Sequence, residues 1–441
     1  MSGFHPWRIL HVDLAGDVDA LDADSEAGGV IVVFWWRDLP LGSLELAPTQ
    51  LPVPAPAVRL YGAEVAAPTL GDRLLPHGFR QPPPERHPPP DPEPALSDLL
   101  GVEDPFTSAY ARVRNAEAAA PDLTTSVVVC TRDRPEALAD CLEALAALDP
   151  APEEVVVVDN APEGDATRRV VEAAPLAVRY VEEPRPGLSA ARNAGLRAST
   201  GDIIAFTDDD VEVHPRWTLR LRAAFDDPDV WAVTGLVLPA EIETPAQLQF
   251  EQTQGGQGWG YRAQTFDRDF FDRMRQYAVP VWQLGAGANM AFRREAFAAL
   301  GGFDERLGAG ASGCSEDSEM WYRILDAGAQ CRYEPAAVVS HTHRREDGAL
   351  RSQMHAYLRG HVAALLVQHA QHDDRGSLRR AVSTLPRYYG RWALRRLTGR
   401  RGGPIHLGAQ IRGWAAGFAY YARHRRRPGA PRLDDLSRDR P

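Results

Sequence analysis

Four short apolar runs constrain this chain more than anything else in it: residues 126–130, 155–158, 178–181 and 203–206. They are rich in β-branched side chains, and three are apolar at nearly every position instead of alternating. A strand of that kind is covered on both faces, which is the habit of parallel sheets. Between the runs, residues 134–147, 188–198 and 215–225 carry helical patterning. Strands alternating with helices predict an α/β fold with a mainly parallel sheet covered by helices. Such sheets bind ligands beyond the C-terminal ends of their strands. The residues just after the runs, Cys130-Thr131-Arg132, Asp159-Asn160 and Asp208-Asp209-Asp210, are therefore expected on one rim.

Three consecutive acids at a strand end repel one another unless a cation offsets the repulsion. For all-oxygen ligands that cation is Mg²⁺ or Mn²⁺. A solvated acidic turn is the alternative. A second candidate ligand follows the apolar residues 336–339, where His341 and His343 end another expected strand. A neutral imidazole there would complete the metal shell begun by the acids. His341 is favoured, although residues i and i+2 of a strand share a face and His343 stays open.

The chain's 441 residues exceed one core. Residues 1–80 show strand-like runs at 9–12 and 29–36 and suggest a small β-rich accessory domain. Residues 81–120 begin with Pro-Pro-Pro clusters and read as an extended linker and lead-in. The α/β unit spans 121–345, and 346–441 form an Arg-rich helical extension with a disordered tail. The formal net charge of −11 hides an asymmetry, since residues 344–427 carry 18 Arg against 4 acids. The sequence holds no Lys, which excludes a Lys nucleophile, a Schiff base or a P-loop. Cys130, Cys141, Cys314 and Cys331 lack metal-site spacing and are expected as reduced thiols.

In order along the chain, four segments resemble the nucleotide-sugar domain of family 2 inverting glycosyltransferases, with a GT-A, Rossmann-like fold: Ser126-Val127-Val128-Val129-Cys130-Thr131-Arg132, Val155-Val156-Val157-Val158-Asp159-Asn160, Gly187-Leu188-Ser189-Ala190-Ala191-Arg192-Asn193-Ala194-Gly195 and Asp202-Ile203-Ile204-Ala205-Phe206-Thr207-Asp208-Asp209-Asp210. Gly301-Gly302-Phe303-Asp304-Glu305, Ser315-Glu316-Asp317-Ser318-Glu319 and His341-Thr342-His343 continue the resemblance, which covers about half the chain, residues 125–343. It implies transfer of a sugar from an NDP-sugar to an acceptor hydroxyl. Asp208 and Asp210 would hold the metal that assists departure of the diphosphate, with His341 as further ligand. Asp208 and Asp209 would share the donor site. Asp159, beside Thr131 or Arg132, would accept a hydrogen bond from the nucleotide base. Arg192 would meet the diphosphate or support the acids, an exposed surface Arg being the alternative. Asp317 would be the base that inversion requires, with Glu316 less favoured and simple helix capping the plain alternative. On the acceptor side the resemblance and the aromatic content point to Trp259, Trp282, Gly287 and Asn289.

Ile411, Trp414, Phe418 and Tyr421 form an apolar stripe flanked by Arg412, Arg423 and Arg425. This suits peripheral contact with an anionic membrane, where a lipid-linked acceptor or a growing cell-surface glycan would be met; packing against the rest of the chain is the alternative. No run is long enough to span a membrane and no secretion signal is seen, so a cytoplasmic location is expected. Nothing matches a nucleic-acid recognition module. The rival readings are a retaining transferase or nucleotidyltransferase on the same fold, and a catalytically silent, membrane-associated sugar-binding scaffold. A dinucleotide oxidoreductase lacks its Gly-x-Gly-x-x-Gly signature.

Overall fold

The computed structural model of the protein describes residues 4–75, 99, 101–254, 260–399 and 402–432. The expected Pro-rich linker, Trp259 with its glycine-rich surroundings, and the expected disordered tail lie outside the described residues.

A small parallel and antiparallel sheet comes first: β1 (Trp7–Asp13), β2 (Gly29–Trp36) and β3 (Leu39–Leu46). Helices α1 (Ala55–Leu74) and α2 (Pro105–Ala118) pack with it. The central unit follows with β4 (Thr125–Thr131), α3 (Pro135–Ala146), β5 (Glu154–Asn160), α4 (Ala166–Glu172), β6 (Arg179–Glu183), α5 (Leu188–Ala198), β7 (Ile203–Asp208), β8 (Val211–Val213) and α6 (Trp217–Ala223). It continues through β9 (Val230–Pro239), α7 (Pro245–Gln254), β10 (Gln264–Phe266), α8 (Arg268–Arg275), β11 (Asn289–Arg293), α9 (Arg294–Leu300), α10 (Glu316–Asp326) and β12 (Gln330–His341). Then come α11 (Asp347–His372), α12 (Arg375–Arg379), α13 (Leu385–Leu397) and α14 (Leu407–His424).

The central sheet runs β10-β12-β9-β11-β7-β4-β5-β6, with β8 beside β12. Strands β6, β5, β4 and β7 are parallel to one another, and β12 is parallel to β9, while β11 enters antiparallel between β7 and β9. Period-two alternation sends Val127 and Val129 into one buried layer with α3 and α6, and Val128 into the other with α5, α9 and α10. That explains the continuous apolar runs of the sequence.

The N-terminal sheet shares a core with the central one. Val33 and Trp35 of β2 pack against Leu236 and Leu238 of β9 and Val338 of β12. Buried Arg220 of α6 fastens this contact, donating to Glu117 of α2 at 2.9 Å and to the carbonyls of Asp38 and Ala336. The four thiols are free.

The C-terminal helices overturn one expectation. Ile411, Trp414, Phe418 and Tyr421 of α14 face inward, packing with α11 and α13 in a shared cluster, and the indole of Trp414 donates to the Ala381 carbonyl at 2.8 Å. Gly413 and Gly417 let the two long helices meet: a Cβ at Gly413 would lie 2.3 Å from the His355 carbonyl, and one at Gly417 2.6 Å from Val362 Cβ. A helical stripe shows that a helix buries one face, not what covers it. Here α11 covers it, so the stripe is not free to meet a membrane.

Candidate active site

The strand ends converge as the sheet rule requires. Register places Cys130 beside Asp208 and Thr131 beside Asp159. The short strand β8 then turns back and pairs His341 with Val211, which carries the imidazole to the acids. His341 Nε2 lies 3.2 Å from Asp210 Oδ1. Ligand atoms of Asp208, Asp210 and His341 all lie within 4.8 Å of one another.

Each acid has a different environment. Asp209 is buried, accepts from the Thr131 hydroxyl at 2.7 Å and from Arg134 Nη1 at 2.5 Å, and its carboxyl is nonetheless pushed up by burial to about 6. Arg134 Nη2 also donates to Asp210 Oδ2 at 2.8 Å. Burial would raise Asp210, but the hydrogen bond and charge of His341, with Arg134, outweigh it and hold that carboxyl well below its ordinary range. Burial would lower His341, yet Asp210 and Asp208 raise it. Asp208 is raised by burial and by Asp210, against the opposing pull of Arg192 at 3.6 Å. Two carboxylate oxygens and an imidazole nitrogen gathered in one place fit a divalent cation such as Mn²⁺ or Mg²⁺ by the chemistry of the donor set.

Arg192, expected at the donor and with surface exposure as the alternative, is buried. Its Nη1 donates to Glu316 Oε1 at 2.6 Å and its Nη2 to the Gly287 carbonyl at 3.1 Å. Glu316 is thereby engaged; burial, then Asp317, push its carboxyl up to about 7 against Arg192. Asp317 is half-buried, with Oδ1 accepting from the Ser318 amide at 2.6 Å. Gly287 separates the two sides: a Cβ there would sit 2.8 Å from Arg192 Nη2 and 3.0 Å from Asp317 Oδ2. The glycine is what admits both groups to one place.

Asp159 is buried at the end of β5, where the Tyr180 hydroxyl donates to its Oδ2 at 2.8 Å. Burial raises its carboxyl, against the hydrogen bonds that Tyr180 and Thr167 make to it. Arg132 is exposed, with an ion pair of 3.7 Å to Asp133.

One acceptor-side expectation is corrected. Asn289 is fully buried, its amide donating to the carbonyls of Leu236 and Ala337 while its oxygen accepts from the Trp217 indole. Strands β9 and β12 lose register between Glu334 and Val338, and this side chain satisfies the carbonyls left there. Trp282 is half-buried, with the Arg380 guanidinium 4.0 Å from its ring and His361 edge-on.

Two groups escaped the sequence reading. Arg134 stands three residues past Thr131 at the start of α3, and the rule that strand ends converge could have found it. Glu251 near the end of α7 had no such signal; its Oε2 meets His343 Nε2 at 3.2 Å across the fold.

Residues 126–301 match the family model described as Glycosyl transferase family 2. The central unit belongs to that family. The chain is 33% identical over 186 residues to a pre-mycofactocin glycosyltransferase of Mycobacterium tuberculosis, covering 42% of this chain and 36% of that one. It is also 33% identical over 225 residues to the succinoglycan biosynthesis protein ExoM of Rhizobium meliloti, covering 49% and 66%. The matched stretches thus span less than two thirds of either relative. Among solved structures, the mannosyltransferase PcManGT from Pyrobaculum calidifontis, in complex with GDP-Man and Mn²⁺, superposes with a TM-score of 0.44 at 20% identity, covering 76% of this chain and 95% of that one.

Proposed function

We propose that this protein is a metal-dependent inverting glycosyltransferase that moves a sugar from an NDP-sugar to a hydroxyl of a cell-surface glycan or lipid-linked acceptor. The observation that carries the reading is the convergence of Asp208, Asp210 and His341 on one rim, with Asp317 facing Arg192 across Gly287. Asp208, Asp210 and His341 would hold Mg²⁺ or Mn²⁺, which supplies charge neutralisation for a departing diphosphate.

The chain's own residues account for the remainder. Asp159, at the end of β5 on the same rim, would accept from an N–H of the nucleotide base, with the exposed Arg132 close by in the chain. Arg192 holds Glu316 and Arg323 holds Glu319, so half-buried Asp317 is the acid at the start of α10 to which we assign the acceptor's proton. The acceptor oxygen bonds to the anomeric carbon as its proton passes to Asp317, and the bond to the diphosphate breaks with its electron pair leaving on the diphosphate. One relative is named for succinoglycan biosynthesis, which supports a glycan acceptor.

No helix among the described residues is long and apolar enough to cross a membrane. Peripheral contact at the cytoplasmic face is supported by α13 instead of α14. Its outer side presents Leu394 and Leu397, 62% and 84% exposed, among Arg387, Arg391 and Arg395, and residues 375–432 contain no acid. Exposed leucines among arginines suit an anionic lipid surface.

The test is Asp317→Asn. Transfer should fall about 10²- to 10⁴-fold, with donor binding by calorimetry kept within a few-fold. Turnover at the wild-type rate would remove Asp317 from the reaction.

A further inference from the structure

His341 and His343 share a strand end, yet they do different things. The imidazole of His341 points Nε2 at Asp210 Oδ1, 3.2 Å away, and Nδ1 at His343 Nδ1, also 3.2 Å away. His343 is buried, packs on Phe250 with ring centroids 4.6 Å apart, and sets its Nε2 3.2 Å from Glu251 Oε2. The backbone of His343 is fixed as well, because Gln247 Nε2 donates to its carbonyl at 3.1 Å. Glu251 and Gln247 both belong to α7, so one helix holds the second histidine at its ring and at its main chain.

Proton placement along this row has one solution compatible with a cation at the acids. A carboxylate only accepts, so Glu251 requires a proton on His343 Nε2. A neutral His343 then has a lone pair on Nδ1, and that lone pair requires a proton on His341 Nδ1. With a cation at the acids, His341 is left with its own lone pair on Nε2; without one, Nε2 carries the proton that Asp210 accepts. A ring nitrogen can ligate a metal only through such a lone pair.

We propose that Glu251 and His343 are positioning residues that fix the tautomer and ring orientation of His341 for a divalent cation held with Asp208 and Asp210. This rests on the metal-dependent reading given above. His343 is not itself a ligand, which resolves the choice between the two histidines. Partners of this kind behind a ligating histidine typically change metal affinity 10- to 100-fold when removed. Neither residue touches the reacting atoms, so the effect belongs to cation binding and not to the chemical step.

The experiment is a titration of the full chain with Mn²⁺ alone, following loss of the free Mn²⁺ signal by electron paramagnetic resonance. It compares wild type, Glu251→Leu, Glu251→Gln and His343→Phe, each checked for folding by circular dichroism. Glu251→Leu and His343→Phe should weaken Mn²⁺ about 10- to 100-fold. Glu251→Gln keeps an oxygen that accepts from His343 and should lie between them and wild type. In parallel, long-range ¹⁵N–¹H correlation of the metal-free protein at pH 8 should show His343 protonated on Nε2 in wild type and lose that preference in Glu251→Leu. Folded Glu251→Leu and His343→Phe proteins that bind Mn²⁺ as wild type does would overturn the proposal. So would a wild-type His343 protonated on Nδ1. Failure of the underlying metal reading is separately visible as wild-type protein with no saturable Mn²⁺ binding.

Discussion

Replacing Arg192 by Met isolates the buried ion pair at the centre of the site. The two side chains are 3% and 6% exposed, and Arg192 Nη1 reaches Glu316 Oε1 at 2.6 Å. Glu316 Oε2 already lacks a hydrogen-bond partner among the described residues. Removing the guanidinium therefore strands a carboxylate whose protonation burial already favours, and takes the nearest Arg from Asp208. Breaking a buried pair from one side destabilises by about 3–5 kcal/mol. For a unit of roughly 220 residues, at about 2–4 °C per kcal/mol, melting should fall by roughly 6–20 °C. The double variant Arg192→Met, Glu316→Met removes both charges and should recover at least half of the loss, because a paired replacement by apolar side chains is often near neutral. Urea unfolding of wild type, both single variants and the double variant gives the coupling energy. A single-variant loss below about 1 kcal/mol, or a double variant equal to the sum of the singles, would refute the argument.

Other perturbations have equally definite outcomes. Burial, then Arg220, lowers His214 to about 4, so between pH 6.5 and 4 the unfolded chain binds a proton that the folded one refuses; stability should rise with pH across that window, and His214→Asn, which keeps an acceptor for the Arg216 amide, should remove about 2–3 kcal/mol of the acid sensitivity in urea titrations. Gly413→Ala places a methyl against the His355 carbonyl and should destabilise the α11–α14 contact by about 1–3 kcal/mol, read as faster limited proteolysis of the C-terminal helices; unchanged cleavage would mean the helices are not so tightly joined. Leu394→Ser with Leu397→Ser should reduce sedimentation with phosphatidylglycerol vesicles and leave the melting temperature alone, since both side chains are exposed; sedimentation equal to wild type would remove α13 from the membrane.

The sheet was legible where a strand is buried on both faces. Runs 126–130, 155–158 and 203–206 became β4, β5 and β7, and the helix expected over 188–198 is α5 with the same bounds. Strand β9 had no reading in the sequence, because a mostly apolar stretch of ten residues fits a buried helix as well as a strand, and Leu236 and Leu238 serve a second sheet that the sequence does not announce. At the site, the acids and His341 were readable from their position after strands. Asn289 was misread because a small amide among glycines and alanines resembles a ligand contact, whereas its task is to satisfy the carbonyls of Leu236 and Ala337 where register is lost. Glu251 was invisible for a related reason: its partner lies 92 residues away and only tertiary structure brings them together. The α14 stripe reported burial correctly, and Gly413 and Gly417 were the unread sign of a helix pressed against it.

The central claim is that Asp208, Asp210 and His341 hold a divalent cation through which an NDP-sugar binds. Isothermal titration of UDP-, GDP- and dTDP-sugars into the full chain, with Mn²⁺ and then with EDTA, tests it most directly. One donor should bind saturably with Mn²⁺ and weaken at least tenfold in EDTA, and Asp210→Asn should remove the difference. Donor binding that is the same with Mn²⁺ and with EDTA would contradict the account.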